Sequence, residues 1–168
     1  MRPPLGVVVV GVLALGVAIP RGAAADDRPF TIGSRPTWFL LGGVTSGGTV
    51  ALADRGAYVG GELSVVRLRE GNYLGFYGDG YYDWGADGTY VTGGLEVGHK
   101  FVGLDGGVAM RFAGGERQVG FTGRLTFGIG LLGLYGRYAR FDTMTNDNEN
   151  VVQIGLMLKL PLWTGGGY

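Results

Sequence analysis

From Thr37 onward, apolar and polar residues alternate in stretches of roughly ten, each broken by Gly, Asp or Asn. Eight such stretches fall near residues 37–46, 56–68, 73–84, 89–102, 104–113, 118–131, 134–142 and 151–163. Alternate side chains of a strand point to opposite faces. In the third stretch Leu74, Phe76, Tyr82 and Trp84 oppose Tyr73, Tyr77, Asp79, Tyr81 and Asp83. In the fourth, Val91, Gly93, Leu95, Val97 and Phe101 oppose Thr92, Gly94, Glu96, Gly98 and Lys100. In the fifth, Leu104, Val108, Met110 and Phe112 oppose Asp105 and Arg111. In the sixth, Val119, Phe121, Leu125 and Phe127 oppose Thr122, Arg124 and Thr126; in the eighth, Ile154, Leu156, Leu158 and Leu160 oppose Gln153, Gly155 and Lys159. No window carries the i, i+3, i+4, i+7 apolar stripe of a helix. The pattern predicts an all-β fold of eight antiparallel strands.

The breaks are of two kinds. Residues 47–55, 85–88, 114–117 and 143–150 alternate with tighter turns at 69–72, Gly103 and 132–133. Longer loops at one end and tight turns at the other mark an up-and-down barrel that crosses a membrane. An even strand count then brings both termini to the tight-turn end. Gly61-x-Leu63-x-Val65 returns as Gly93-x-Leu95-x-Val97 and Gly123-x-Leu125-x-Phe127, at spacings of 32 and 30 residues. Strands two, four and six therefore meet the same environment.

Polarity decides which face is inside. A soluble barrel buries its apolar face and crowds charges outside; a membrane barrel reverses the two. Here the polar face is mostly Gly, Ala, Thr and Ser, with a few charges of mixed sign. These are Glu62, Asp79, Glu96 and Asp105 against Lys100, Arg111, Arg124, Arg137 and Lys159. Small residues suit an eight-stranded interior, which side chains just fill, and charges placed there must pair. The expectation is an eight-stranded antiparallel transmembrane β-barrel with those charges as a lumen network. Arg124 is expected to pair with Glu96, Asp105 or Glu62, in that order.

The first residues read differently. Arg2 precedes an uncharged apolar run, Leu5–Ile19, and Ala23-Ala24-Ala25 follows before Asp26-Asp27. That is the layout of a signal peptide cleaved after Ala25; the run is short for a membrane helix. The chain thus divides into a signal peptide (1–25), a polar leader (26–36) and a barrel domain (37–168). No Cys follows the apolar run, which excludes a lipoprotein anchor. Of 14 basic residues, Arg2 and Arg21 would leave with the signal peptide, and against 14 acidic residues the remainder is two charges negative. No basic face for nucleic acid is implied. With 36 Gly, composition alone would permit low complexity, but 46% hydrophobic residues in regular alternation argue for a folded chain.

Aromatic residues fall near the ends of strands. Trp38 opens the first and Trp163 closes the eighth, neighbours in a closed barrel, at the tight-turn rim. Tyr82, Trp84 and Tyr90 fall near the opposite rim. Such interface aromatics form girdles at both membrane surfaces. Across residues 37–163 the chain resembles the small eight-stranded outer-membrane barrels of Gram-negative bacteria, typified by the outer-membrane protein A transmembrane domain. The resemblance implies an outer-membrane location and partnership with the lipid bilayer and the outer-membrane assembly machinery. Those barrels usually end on an aromatic residue that this machinery reads; here either Trp163 or the terminal Tyr168 would serve.

Candidate chemistry is sparse. Lipid A-modifying enzymes among such barrels use a His with a Ser and an acid. His99 is the only histidine, it falls on the lipid-facing parity, and no Ser lies within three residues. Ser34, Ser46 and Ser64 are the only serines after residue 25, so no nucleophile–base–orienter set is evident. Asp147-Asn148-Glu149-Asn150 has a calcium-loop composition without the EF-hand glycine and spacing, and reads as a solvated hairpin loop. Zero Cys and one His leave no Cys/His metal site. The glycine pairs at 42–43, 60–61, 93–94 and 106–107 precede no helix and are not phosphate cradles. No cofactor and no enzyme activity are expected.

Three function classes stand. One is a structural or surface-interaction barrel whose loops 47–55 and 143–150 form the contact surface. The second is a narrow pore or small-ligand barrel. The third is a soluble periplasmic carrier of an apolar ligand, which inverts the faces. The lumen charges favour the first over the second, because paired side chains fill an eight-stranded interior.

Overall fold

The computed structural model describes residues 37–50, 55–129, 131–142 and 149–166. The signal peptide, the leader, Tyr168 and most of the 143–150 loop lie outside the described residues. Eight strands follow in order: β1 (Thr37–Val50), β2 (Arg55–Arg69), β3 (Asn72–Asp83), β4 (Gly88–His99), β5 (Val102–Ala113), β6 (Glu116–Ile129), β7 (Leu132–Asp142) and β8 (Glu149–Gly166). Each pairs antiparallel with the next, and β1 pairs with β8 to close the barrel. Closure satisfies every sheet edge, which hydrocarbon requires because it offers the backbone no hydrogen bonds.

The alternation sets the faces. Leu63, Leu74, Phe76, Leu104, Phe121, Leu134 and Leu156 point outward, with Phe121 70% exposed. Arg124, Arg137, Glu62, Asp79, Glu96, Asp83 and Gln153 point inward and are almost wholly buried. An apolar outside around a charged inside is the polarity of a barrel whose solvent is lipid. Strands of 14 or 15 residues, such as β1 and β2, exceed the roughly 9–11 that a tilted strand needs to span hydrocarbon.

The connections refine the sequence reading. Glu70 and Gly71 join β2 to β3 with φ of 52° and 80°, the two left-handed positions of the hairpin turn that suits strand twist. The β4–β5 turn lies at Lys100–Phe101, and Gly103 sits within β5. Lys100 takes φ 49° there, its N–H donating to the Gly71 carbonyl at 2.7 Å. Lys100 and Phe101 therefore belong to no strand face; Lys100, expected in the lumen network, makes the tight turn and lines the lumen at that end. The turn falls two residues early because His99 pairs with Val102. Gly133 likewise lies inside β7. Only Gly114 and Gly115 separate β5 from β6, so the expected long loop at 114–117 is a two-residue turn.

β1 and β8 carry an irregularity. The register shifts between Leu40 and Leu41, which pair with Trp163 and Pro161. Leu162 is the extra residue. A proline cannot donate to a ladder and is tolerated at such a bulge.

Candidate functional site in the barrel lumen

Six inward side chains, in three ion pairs, bridge the barrel. β2 faces β6, and β3 faces β7, four positions round the closed sheet. The Arg124 guanidinium on β6 crosses to Glu62 on β2 through NH1, and its Nε reaches Asp105 on the adjacent β5 at 2.5 Å. Arg137 on β7 crosses to Asp79 on β3, and Arg124 lies 3.7 Å from that same carboxylate. Lys159 on β8 pairs with Glu62 at 2.5 Å and with Glu96 on β4 at 2.9 Å. Ser64 donates to Glu62 Oε1 at 3.1 Å and accepts from Lys159 Nζ at 3.1 Å; the Thr92 hydroxyl donates to Asp79. Buried charges persist only when mutual attraction and added hydrogen bonds offset lost hydration, and this connected set supplies both.

The expected partners of Arg124 are reordered. Glu62 and Asp105 contact it directly, whereas Glu96 goes to Lys159. The register explains this: Asp105 stands directly beside Arg124, while Glu96 stands beside Asp105, one strand further off. Arg111 sits apart from the network, toward the loop end. There it donates to Gln118 Oε1 and the Ala86 carbonyl, both at 3.5 Å, and lies 5.7 Å from the Tyr90 ring.

An aromatic layer covers the ionic one on its loop side. Tyr58, Tyr81, Tyr90, Tyr135 and Phe141 are buried together. Tyr58 donates to the Tyr135 hydroxyl at 2.7 Å, and Tyr81 stacks on Tyr90 with centroids 4.7 Å apart. The guanidiniums tie the layers: Arg137 lies 4.7 Å from the Tyr81 ring, and Arg124 lies 5.0 Å from Tyr77 and 5.4 Å from Tyr135. Cations over aromatic faces gain attraction in a desolvated site. Tyr90, placed from the sequence near the loop-end rim with the girdle aromatics, lies at that end but is fully buried. Its parity with Thr92 and Glu96 carried that information.

Sequence reasoning also passed over Asp83. It is buried, accepts from the Thr49 hydroxyl and from Gln153 Nε2 at 3.3 Å, and caps the β3–β4 loop through the Gly85 and Ala86 amides at 2.9 and 3.3 Å. It shares a face with Asp79 and Tyr81, so the strand-three alternation held the signal.

The aromatic assignments fall at the two ends. Trp38 and Trp163 are exposed near the tight turns. Trp84 is exposed just past β3 and meets the Tyr82 ring edge-on at 5.5 Å; Tyr82 donates to Asp87. His99 is exposed and its Nδ1 lies 2.8 Å from Asn72 Oδ1 across the tight-turn end. Ser64, a serine buried inside the barrel, belongs to the Glu62–Lys159 cluster. Among the described residues, no group of three His, Asp or Glu is placed to hold a metal ion.

These observations define an eight-stranded antiparallel barrel, apolar outside and bridged by ion pairs within. Solved structures similar to it include the outer membrane protein Ail of Yersinia pestis, determined in a phospholipid bilayer nanodisc. It is 11% identical with a TM-score of 0.46, over 72% of this chain and 99% of that one. Neisserial surface protein A, NspA, is 10% identical with a TM-score of 0.42, over 74% of this chain and 96% of that one. No protein-family model and no curated protein matches the sequence.

Proposed function

We propose that this chain is an outer-membrane barrel whose lumen is closed by its own side chains, and that it acts as a structural or surface-interaction protein through its loop end. The observation that carries the reading is the set of three cross-lumen bridges, Arg124 to Glu62, Arg137 to Asp79 and Lys159 to Glu96. They join opposite walls of an interior that side chains just fill, which supports a closed lumen. The apolar exterior supports a place in the bilayer, with the tight turns toward the periplasm. Export depends on residues 1–25, and insertion on the outer-membrane assembly machinery. Nucleic acid is not a partner, and catalysis is not part of the reading.

The test has two arms. Membrane fractionation with and without detergent, together with heat-modifiable migration on gels, should place the folded protein in the outer membrane. Purified protein in planar bilayers should then give no discrete conductance. Recovery in the soluble periplasmic fraction would replace this reading by the soluble carrier, and steady single-channel currents would replace it by the pore.

A further inference from the structure

The lumen is not filled along its whole length. Between the ionic network and the tight turns lies a cavity of about 440 Å³. Its wall is apolar: Phe39 and Leu41 from β1, Val66 and Leu68 from β2, and Met157 from β8. Its polar lining includes Tyr73, Glu96, Asp105, Lys159 and Lys100. The lining reaches the tight-turn residues Lys100, Phe101 and Leu131. A water-facing vestibule need not be apolar, and leaving this wall wet is unfavourable. The volume lies within the range of small-molecule sites, roughly 300–1,000 Å³.

The connected network holds four carboxylates, on Glu62, Asp79, Glu96 and Asp105, against three cations, on Arg124, Arg137 and Lys159. At the cavity itself Glu96 and Asp105 share the lining with two ammonium groups, Lys159 and Lys100. Glu96 is 2% exposed and lines the cavity, and its Oε1 has no hydrogen-bond partner while Oε2 is taken by Lys159. The hydroxyl of Thr126, also in the wall, is unpartnered as well. Buried polar atoms without partners are uncommon and costly.

We propose that this tight-turn vestibule is a binding site for a small cationic amphiphile, its apolar body against Phe39, Leu41, Leu68 and Met157 and its protonated amine at Glu96. The amine would donate to Glu96 Oε1, which lacks a partner. The body would cover the wall. An anionic ligand has no proton to give that oxygen, and a longer lipid would exceed the volume.

The probe is 4-phenylbutylamine, with 4-phenylbutyrate and 4-phenylbutanol as anionic and neutral partners, titrated by calorimetry into the full exported protein in phospholipid nanodiscs; empty nanodiscs supply the partitioning background. The amine should bind saturably, the alcohol about tenfold more weakly, and the acid not at all, given the worth of a charge-assisted hydrogen bond. Glu96→Gln should weaken the amine about tenfold. Leu68→Trp fills the cavity without touching a charge and should abolish binding of amine and alcohol alike, with gel migration reporting that both variants remain folded. Equal binding of amine and acid would overturn the proposal, as would affinity unchanged by Leu68→Trp. Binding that emerges only after deletion of residues 26–36 would overturn it in favour of the chain's own leader as occupant.

Discussion

Arg124 and Glu62 stand on opposite walls of the barrel, 62 residues apart in sequence, and their side chains meet in a buried ion pair. No local pattern joins them. Each faces inward because of its place in a two-residue alternation, and closure of the sheet brings β2 opposite β6. The same guanidinium holds Asp105 at 2.5 Å and stacks near Tyr77 and Tyr135. Arg124, on β6, is thus the centre on which four other strands and both lumen layers converge.

Arg124→Ala should therefore destabilise the barrel by about 3–5 kcal/mol, the range for leaving a buried charge without its partner. Glu62→Ala should be costly for the same reason. The two together should cost less than their sum, with a coupling of about 0.5–3 kcal/mol. Coupling between Arg124→Ala and Glu96→Ala should be smaller, because Glu96 pairs with Lys159. Reversible urea unfolding in lipid vesicles reads the wild type and all five variants. Simple additivity of Arg124→Ala with Glu62→Ala would mean that water fills the space between them.

Most of the architecture was legible from the alternation alone, because a barrel wall is a period-two structure throughout. Strand number, order and inward faces follow from which residues alternate. What stayed hidden depended on closure or on turns. Glu96 and Arg124 look like partners at similar depth, yet β5 stands between them and supplies Asp105 instead. Lys100 kept the lumen parity on paper, but the chain reverses at that residue. Tyr58 and Tyr135 are ordinary strand aromatics in sequence; their contact at 2.7 Å exists only because β2 and β7 look into one narrow lumen. The cavity is a void, and no residue encodes it.

Leu125 and Thr126 test the faces at adjacent positions. Leu125 is 43% exposed on the outer wall of β6, whereas Thr126 lines the lumen cavity. Leu125→Arg should cost roughly 2–4 kcal/mol if its depth is the bilayer midplane. Thr126→Ser keeps the hydroxyl and should change stability by less than about 0.5 kcal/mol. Unfolding in lipid vesicles ranks the two, and a larger cost for Thr126→Ser would invert the assigned faces.

Glycines in the wall are not interchangeable. A methyl at Gly94 would collide with the Gly106 carbonyl oxygen and stand 2.6 Å from the Gly107 Cα on the neighbouring strand. Backbone cannot swing aside as a side chain does, so Gly94→Ala should cost about 1–3 kcal/mol. A methyl at Gly136 meets nothing within 4 Å. Gly136→Ala should be neutral or stabilising by about 0.4–1 kcal/mol through the unfolded chain. Equal behaviour of the two in thermal or urea unfolding would show that β4 and β5 are further apart at this point.

Conductance should respond to the two lumen layers as to two stoppers in series. The ionic layer is bridged by Arg124 and Arg137, and the aromatic layer by Tyr58, Tyr81, Tyr90 and Tyr135. Cutting Arg124→Ala leaves the tyrosines in place, and their rings are in contact from β2 through β3 to β4. Cutting Tyr58→Ala leaves the cross-lumen bridges in place. Neither single variant should conduct in planar bilayers. The combined variant opens both layers between the facing walls β2 and β6, and should give small cation-preferring currents, because Glu62 and Asp105 then lose the cation they share. The order matters for the argument: current through Arg124→Ala alone would make the ionic layer the only barrier and the tyrosines mere packing. Current through Tyr58→Ala alone would mean that the bridges do not span the lumen. A silent, folded double variant would place the barrier elsewhere, at the loop-end cluster of Asp83, Thr49 and Gln153.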